Sequence, residues 1–201
     1  HLKYVPAWEE CEKYCSREIY LKYILNPRIA DELLRDWRKY FAENLTEDFR
    51  KNVRENPESL AEYVNSAIRT DNTRNNYATP LSPQGTHELK VADSHSRNIY
   101  FVALCRSAGV PARIGNGTGR PQYFSEGEWN DVYFSGEIRP PGKGILKIEN
   151  GHKDFVPQYF RHFTIGRYEN GRFSTLEYDY DLPVTSFEHA LTLPAGHYWL
   201  V

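Results

Sequence analysis

Asp93-Ser-His-Ser-Arg-Asn98 leads into Ile99-Tyr-Phe-Val-Ala-Leu-Cys105, and the run closes on Arg106-Ser-Ala-Gly-Val-Pro-Ala-Arg-Ile114. A polar start, a compact apolar block and a glycine stop predict a helix, and Val110–Ile114 then leans to β-strand. From Ile99 to Cys105 the block is apolar all round. A helix of that composition has no face to give to water and must be buried on every side. It is therefore expected to be the central helix of its domain, with the rest of the chain arranged around it.

Upstream, the first 70 residues read as charged, amphipathic helices. Arg17–Leu25 carries Ile19, Tyr20, Tyr23 and Ile24. Asn26-Pro27 interrupts or caps, and Arg28–Glu43 is expected to resume with Ile29, Leu33, Leu34, Trp37 and Phe41. Asn56-Pro57-Glu58 is a start signal, with a polar cap, a proline in the first turn and an acid that suits the helix dipole. Leu60, Ala61, Val64, Ala67 and Ile68 then share one face. Asp71–Gly85, rich in Asn, Thr, Pro and Gly, is expected to be a loop.

Downstream the period changes to that of strands. Val110–Ile114, Gln122–Ser125, Trp129–Phe134, Ile145–Ile148, Phe160–Arg167, Phe173–Tyr178 and Tyr198–Val201 are candidate strands. Glu126-Gly127 and Asn170-Gly171 are hairpin signals. Pro140-Pro141-Gly142-Lys143-Gly144 is the best boundary. Three parts follow: a helical layer over 1–56, an α+β core over 57–139, and a β-rich segment over 140–201. The last ends on the strand-like run Tyr198-Trp-Leu-Val201 and is expected to be an incomplete sandwich.

Charge is nearly balanced, with 25 basic and 27 acidic residues. That leaves no electrostatic footprint for nucleic acid. The apolar runs are too short to span a bilayer. Three cysteines are too few and too scattered for a disulfide framework. Cys11 and Cys15 stand one helical turn apart, but no neighbouring ligands complete a metal site, and Cys105 reads as a small core residue. No cofactor and no metal is expected.

The wording of the buried helix resembles the catalytic-helix segment of the transglutaminase-like superfamily. There a cysteine opens a buried helix that ends in Arg-Ala-Ala-Gly-Ile-Pro-Ala-Arg, fifteen residues before the glycine. Fifteen residues before Gly109 stands Ser94. The superfamily's histidine opens a later strand, before a Gly-x-Trp turn, and its aspartate follows the tryptophan by four residues. Gly127-Glu128-Trp129 matches that turn, so the counterparts are Thr118, eleven residues before Trp129, and Tyr133, four after it. The resemblance implies an α+β, transglutaminase-like fold of papain-like arrangement: a buried helix on an antiparallel sheet, N-terminal helices, and a partial C-terminal β-sandwich. It also implies a degenerate member, with the Cys-His-Asp triad replaced at Ser94, Thr118 and Tyr133. A serine hydroxyl needs a general base, which threonine and tyrosine supply poorly.

The expected function is thus a catalytically inactive domain with a binding or structural role. Its expected partners are a peptide, a glycan or a flanking β-sandwich domain. Asp93, His95, Gln122, Tyr123 and Trp129 are the candidate binding residues. The resemblance further includes multidomain bacterial proteins that are secreted or lie in the cell envelope. The alternative is a hydrolase or acyltransferase rebuilt around Ser94, with His87, His95, His152 or His162 as base; His95 is badly placed as its helical neighbour, whereas His87, on the preceding loop, could approach and Asp93 orient it. Three further readings remain: Ser94 as helix cap, with Asp93 or Ser96 competing; Asp93, His95 and Glu88 as a metal set; and Arg97 paired with Asp93 or Glu88.

Overall fold

A computed structural model gives the architecture and describes residues 1–116, 118–137, 139, 142–152, 154–169 and 172–201. The chain divides into two compact units, one of residues 1–115 with 120–137 and one of 116–119 with 138–201.

In the first unit, short helices α1 (Trp8–Cys11) and α2 (Arg17–Tyr20) precede a wider turn over Leu21–Leu25. The helix expected over residues 28–43 forms only from Trp37, as α3 (Trp37–Asn44). Before it, the chain folds on its own side chains in short local turns. Asn26 Oδ1 accepts the Arg28 N–H at 3.0 Å, and the buried Glu32 carboxylate accepts those of Ile29 and Ala30 at 3.0 and 2.8 Å. Then come α4 (Glu47–Glu55), capped by Thr46, and α5 (Ser59–Ala67), whose first N–H bonds to Asn56 Oδ1.

Strand β1 (Arg69–Thr70) pairs in parallel with β2 (Val91–Ala92). Between them the expected loop stops at Ser82, whose side chain caps α6 (Pro83–Leu89) with a proline in its first turn. The capping serine and that proline are start signals within a run that composition alone marks as loop.

The central helix is α7 (Ser94–Ser107). Ile99 to Cys105 are all fully buried, as the sequence requires. Trp37 and Phe41 of α3, Val53 of α4 and Leu60 and Val64 of α5 share its core, and strands β3 (Ala112–Ile114) and β4 (Pro121–Ser125) also pack on it. The helix ends in a Schellman motif: Val110 N–H bonds to the Cys105 carbonyl at 2.9 Å and Gly109 N–H to that of Arg106 at 3.3 Å. Gly109 sits at φ +85, where a Cβ is strained. Strands β3, β4 and β5 (Glu128–Asp131) form an antiparallel sheet in that order. The β4–β5 turn uses Glu126 and Gly127 at positive φ, the signature of a tight hairpin turn.

Among its described residues the second unit is built of β-strands, with a short 3-10 turn over Val184–Phe187. Strand β6 (Lys143–Leu146) pairs with β9 (Leu191–Pro194), a strand that the sequence pattern did not single out. Strand β7 (Ile165–Glu169) lies between β8 (Arg172–Thr175) and β10 (His197–Leu200), all antiparallel. Ile165 of β7 and Leu193 of β9 enter one core around Tyr159 and Phe187, so side chains from both sheets meet, as in a sandwich. The hairpin signal at Asn170-Gly171 and the proline pair at 140–141 lie outside the described residues.

Candidate functional site

The start of α7 is held by Asp93. Its Oδ1 accepts the Ser96 N–H at 2.9 Å, and its Oδ2 accepts from Ser96 Oγ and Asn75 Nδ2, both at 2.8 Å. Asp93 is therefore the cap, and Ser94 is the first helical residue rather than the cap itself. The carboxylate has more acceptor positions than a hydroxyl and takes the post. Burial alone would raise the Asp93 carboxyl, but the bonds from Ser96 and Asn75 outweigh it and hold the group below the usual carboxylate range. The Ser94 N–H donates to Asn72 Oδ1 at 2.8 Å, and Ser96 Oγ accepts the Leu81 N–H at 2.9 Å. The loop before α6 is thus tied to the helix start. Asp93, Asn75, Leu81 and Val91 border a hollow of about 390 Å³ there.

The histidines near Ser94 in sequence are engaged elsewhere. His95 Nε2 shares a 2.7 Å hydrogen bond with Asp31 Oδ1 at the surface. His87 lies on α6, not on a loop. Its Nδ1 shares a 2.7 Å hydrogen bond with the Tyr100 hydroxyl, and its ring packs on Tyr40 and Phe41. Burial, and then the charge of Lys90, lower the pKa of His87 and keep it neutral. Among the described residues, no hydrogen bond joins Ser94 Oγ to an imidazole. Glu88 accepts from Gln84 at 2.9 Å, so Asp93, His95 and Glu88 each serve a different partner.

Tyr133 follows β5, and the Arg120 guanidinium lies 4.5 Å from the centre of its ring. Arg120 Nη1 donates to Glu137 Oε2 at 2.7 Å, while the buried Arg97 donates to Glu137 Oε1 at 2.6 Å and covers the Phe134 ring at 3.8 Å. Arg97 thus pairs with Glu137, not with the expected Asp93 or Glu88. Forty residues separate Arg97 from Glu137, so no local pattern announces the pair. Arg106 bonds to the carbonyls of Ala112, Asn26 and Arg28 at 2.9, 2.9 and 2.8 Å, which stitches α7 to β3 and to the segment before α3. Thr118 falls in the 116–119 segment that groups with the second unit.

Of the other candidates, Gln122 and Trp129 are brought together by Arg113. Its Nε donates to Gln122 Oε1 at 2.7 Å, and its guanidinium lies 4.0 Å from the Trp129 ring centre. Gln122 Nε2 donates to Asp131 Oδ1 at 2.7 Å, and Trp129 packs edge-on against Tyr23 and Phe124. Tyr123, next along β4, points the other way and packs against the core around α7.

A model of the transglutaminase-like superfamily matches residues 39–144, just over half of the chain. The chain belongs to that superfamily. The match runs from inside α3 to the first residues of β6 and includes the whole of α7 and the β3–β4–β5 sheet. None of the curated proteins and none of the solved structures compared matches the chain. Sequence reasoning missed Asn72 and Asn75, which sit on the helix start, and Glu137, which anchors the strand end beside Tyr133. The asparagine-rich run Asp71-Asn-Thr-Arg-Asn-Asn76 was the one available signal for the first pair.

Proposed function

We propose that this domain is a catalytically inactive transglutaminase-like module that binds a peptide, a glycan or a partner domain, or supports architecture, in a secreted or envelope protein. The observation that carries the reading is the commitment of His87 to Tyr100 and of His95 to Asp31. Neither of the histidines nearest Ser94 in sequence is thus hydrogen-bonded to the hydroxyl at the superfamily's nucleophile position. A helix start alone does not make a serine alkoxide at neutral pH. At the counterpart of the aspartate stands Tyr133, which lies under Arg120, and the nearby Glu137 carboxylate is taken up by Arg97 and Arg120. Asp93 and the hollow beside it, with the Gln122–Arg113–Trp129 cluster, are the surfaces proposed for binding.

Two measurements test this. A fluorophosphonate probe and an amine-incorporation assay are expected to give no signal on the intact chain. Labelling that disappears in Ser94→Ala would establish the rebuilt hydrolase or acyltransferase instead. Amide chemical-shift mapping with peptides and oligosaccharides is expected to move Asn75, Asp93 or Trp129. Binding that leaves all three still would remove these surfaces from the proposal.

A further inference from the structure

Strands β1 and β2 make a short parallel pair, with Arg69 opposite Val91 and Thr70 opposite Ala92. Across it, the Arg69 N–H donates to the Lys90 carbonyl and the Asp71 N–H to the Ala92 carbonyl, both at 2.9 Å. In a parallel ladder of this register, the residue between the two acceptors turns its own N–H and C=O to the opposite edge. That residue is Val91. Among the described residues, neither its N–H nor its carbonyl has a hydrogen-bond partner. The far edge of β2 is therefore open, a template for another strand.

This segment borders the hollow of about 390 Å³ beside Asp93. Val91, Ala92 and Asp93 line it in succession. Side chains of an extended segment alternate between two faces, and that of Ala92 is buried in the core around α7. The backbone itself therefore runs along the hollow. Leu81 and Leu89 add aliphatic wall, and Leu89 is 61% exposed although it lines a concave surface. Among the described residues no aromatic ring lines the hollow, so a sugar ring would find no face to stack on. A free main-chain donor and acceptor beside an aliphatic hollow match an extended polypeptide. Its backbone supplies the complementary acceptor and donor, and one of its side chains supplies the apolar group.

We propose that a peptide in extended conformation adds to this edge as a third strand, pairing its main chain with Val91 and placing one aliphatic side chain against Leu81 and Leu89. The inference rests on the binding role proposed above and narrows it, at this site, to a peptide.

The test is amide NMR of the whole chain, titrated with capped pentapeptides that differ at the central residue: leucine, isoleucine, valine, alanine, serine or lysine. Maltotriose is run in parallel as the sugar probe. The leucine, isoleucine or valine peptides are expected to shift Val91 saturably and to slow exchange of its amide, with the other three weaker. Methylating the nitrogens of the best peptide one at a time is expected to find a position that raises the half-saturating concentration about fivefold, the worth of one hydrogen bond. Leu89→Ser, at an exposed position, is expected to raise it about tenfold through lost apolar contact. Binding that leaves the Val91 amide exchanging as before, or that ignores every methylation, overturns the pairing. Maltotriose shifting Leu89 and Val91 where no peptide does overturns the choice of a peptide. Peptides that shift Trp129 and leave Val91 still would overturn this site and leave the binding role of the domain standing, whereas silence of both surfaces with every probe would overturn both.

Discussion

Asp93 satisfies three donors with two oxygens, and that concentration of bonds makes it the most consequential polar residue at the start of α7. Asp93→Ala is expected to cost about 1–2 kcal/mol, as loss of a helix cap does, read as a fall in the urea midpoint. Because its folded pKa is held low, its stabilisation is complete above the unfolded value of about 3.9 and is lost as pH falls through the lower folded value. His87 acts in a higher window. Its folded pKa is lowered, so the unfolded chain takes up the proton first. Stability should therefore begin to fall as the medium drops below about pH 6.5 and level off below the folded pKa. In melting curves across that range, His87→Gln should flatten the slope. An unaltered slope would assign the titration to another group.

The elements of the first unit are joined by arginines that reach across the chain. Arg106 bonds to three carbonyls in two segments, and Arg97 with Arg120 fixes the residues after β5 through Glu137. Glu137 is partly exposed, but both arginines lean on it from more buried positions. Glu137→Gln removes the charge that compensates both and should cost on the order of 3 kcal/mol, near the lower end for breaking a buried pair. Chemical denaturation measures the loss, and amide exchange should localise it to Val132–Phe134. A loss below about 0.5 kcal/mol, as for an exposed surface pair, would mean that water already carries the charge.

Each of the two compact units has its own core, with α7 at the centre of the first and Tyr159 at the centre of the second. The Tyr159 hydroxyl donates to the Leu176 carbonyl at 2.7 Å and accepts the Ile165 N–H at 3.1 Å. Tyr159→Phe leaves both backbone groups buried without that partner and should cost about 1–3 kcal/mol. Hydrogen exchange should quicken in β7 and β9 while the amides of α7 keep their protection. Equal loss in both places would mean that the units unfold together. The sequence by itself determined the buried helix, its glycine stop and the hairpin at Glu126-Gly127, because apolar content and backbone freedom are local properties. It also carried the family, through the words around Ser94 and Gly109. Only the tertiary structure decided that residues 28–36 are not helical, that α6 forms and that β9 pairs with β6. It likewise decided that Arg97 meets Glu137, that His87 turns to Tyr100 and that Arg38 is buried against the carbonyls of Ile24, Leu25 and Asn26. The β9–β6, Arg97–Glu137 and His87–Tyr100 pairings depend on which distant group takes up a hydrogen bond, and residue order does not contain that information until the chain has closed on itself.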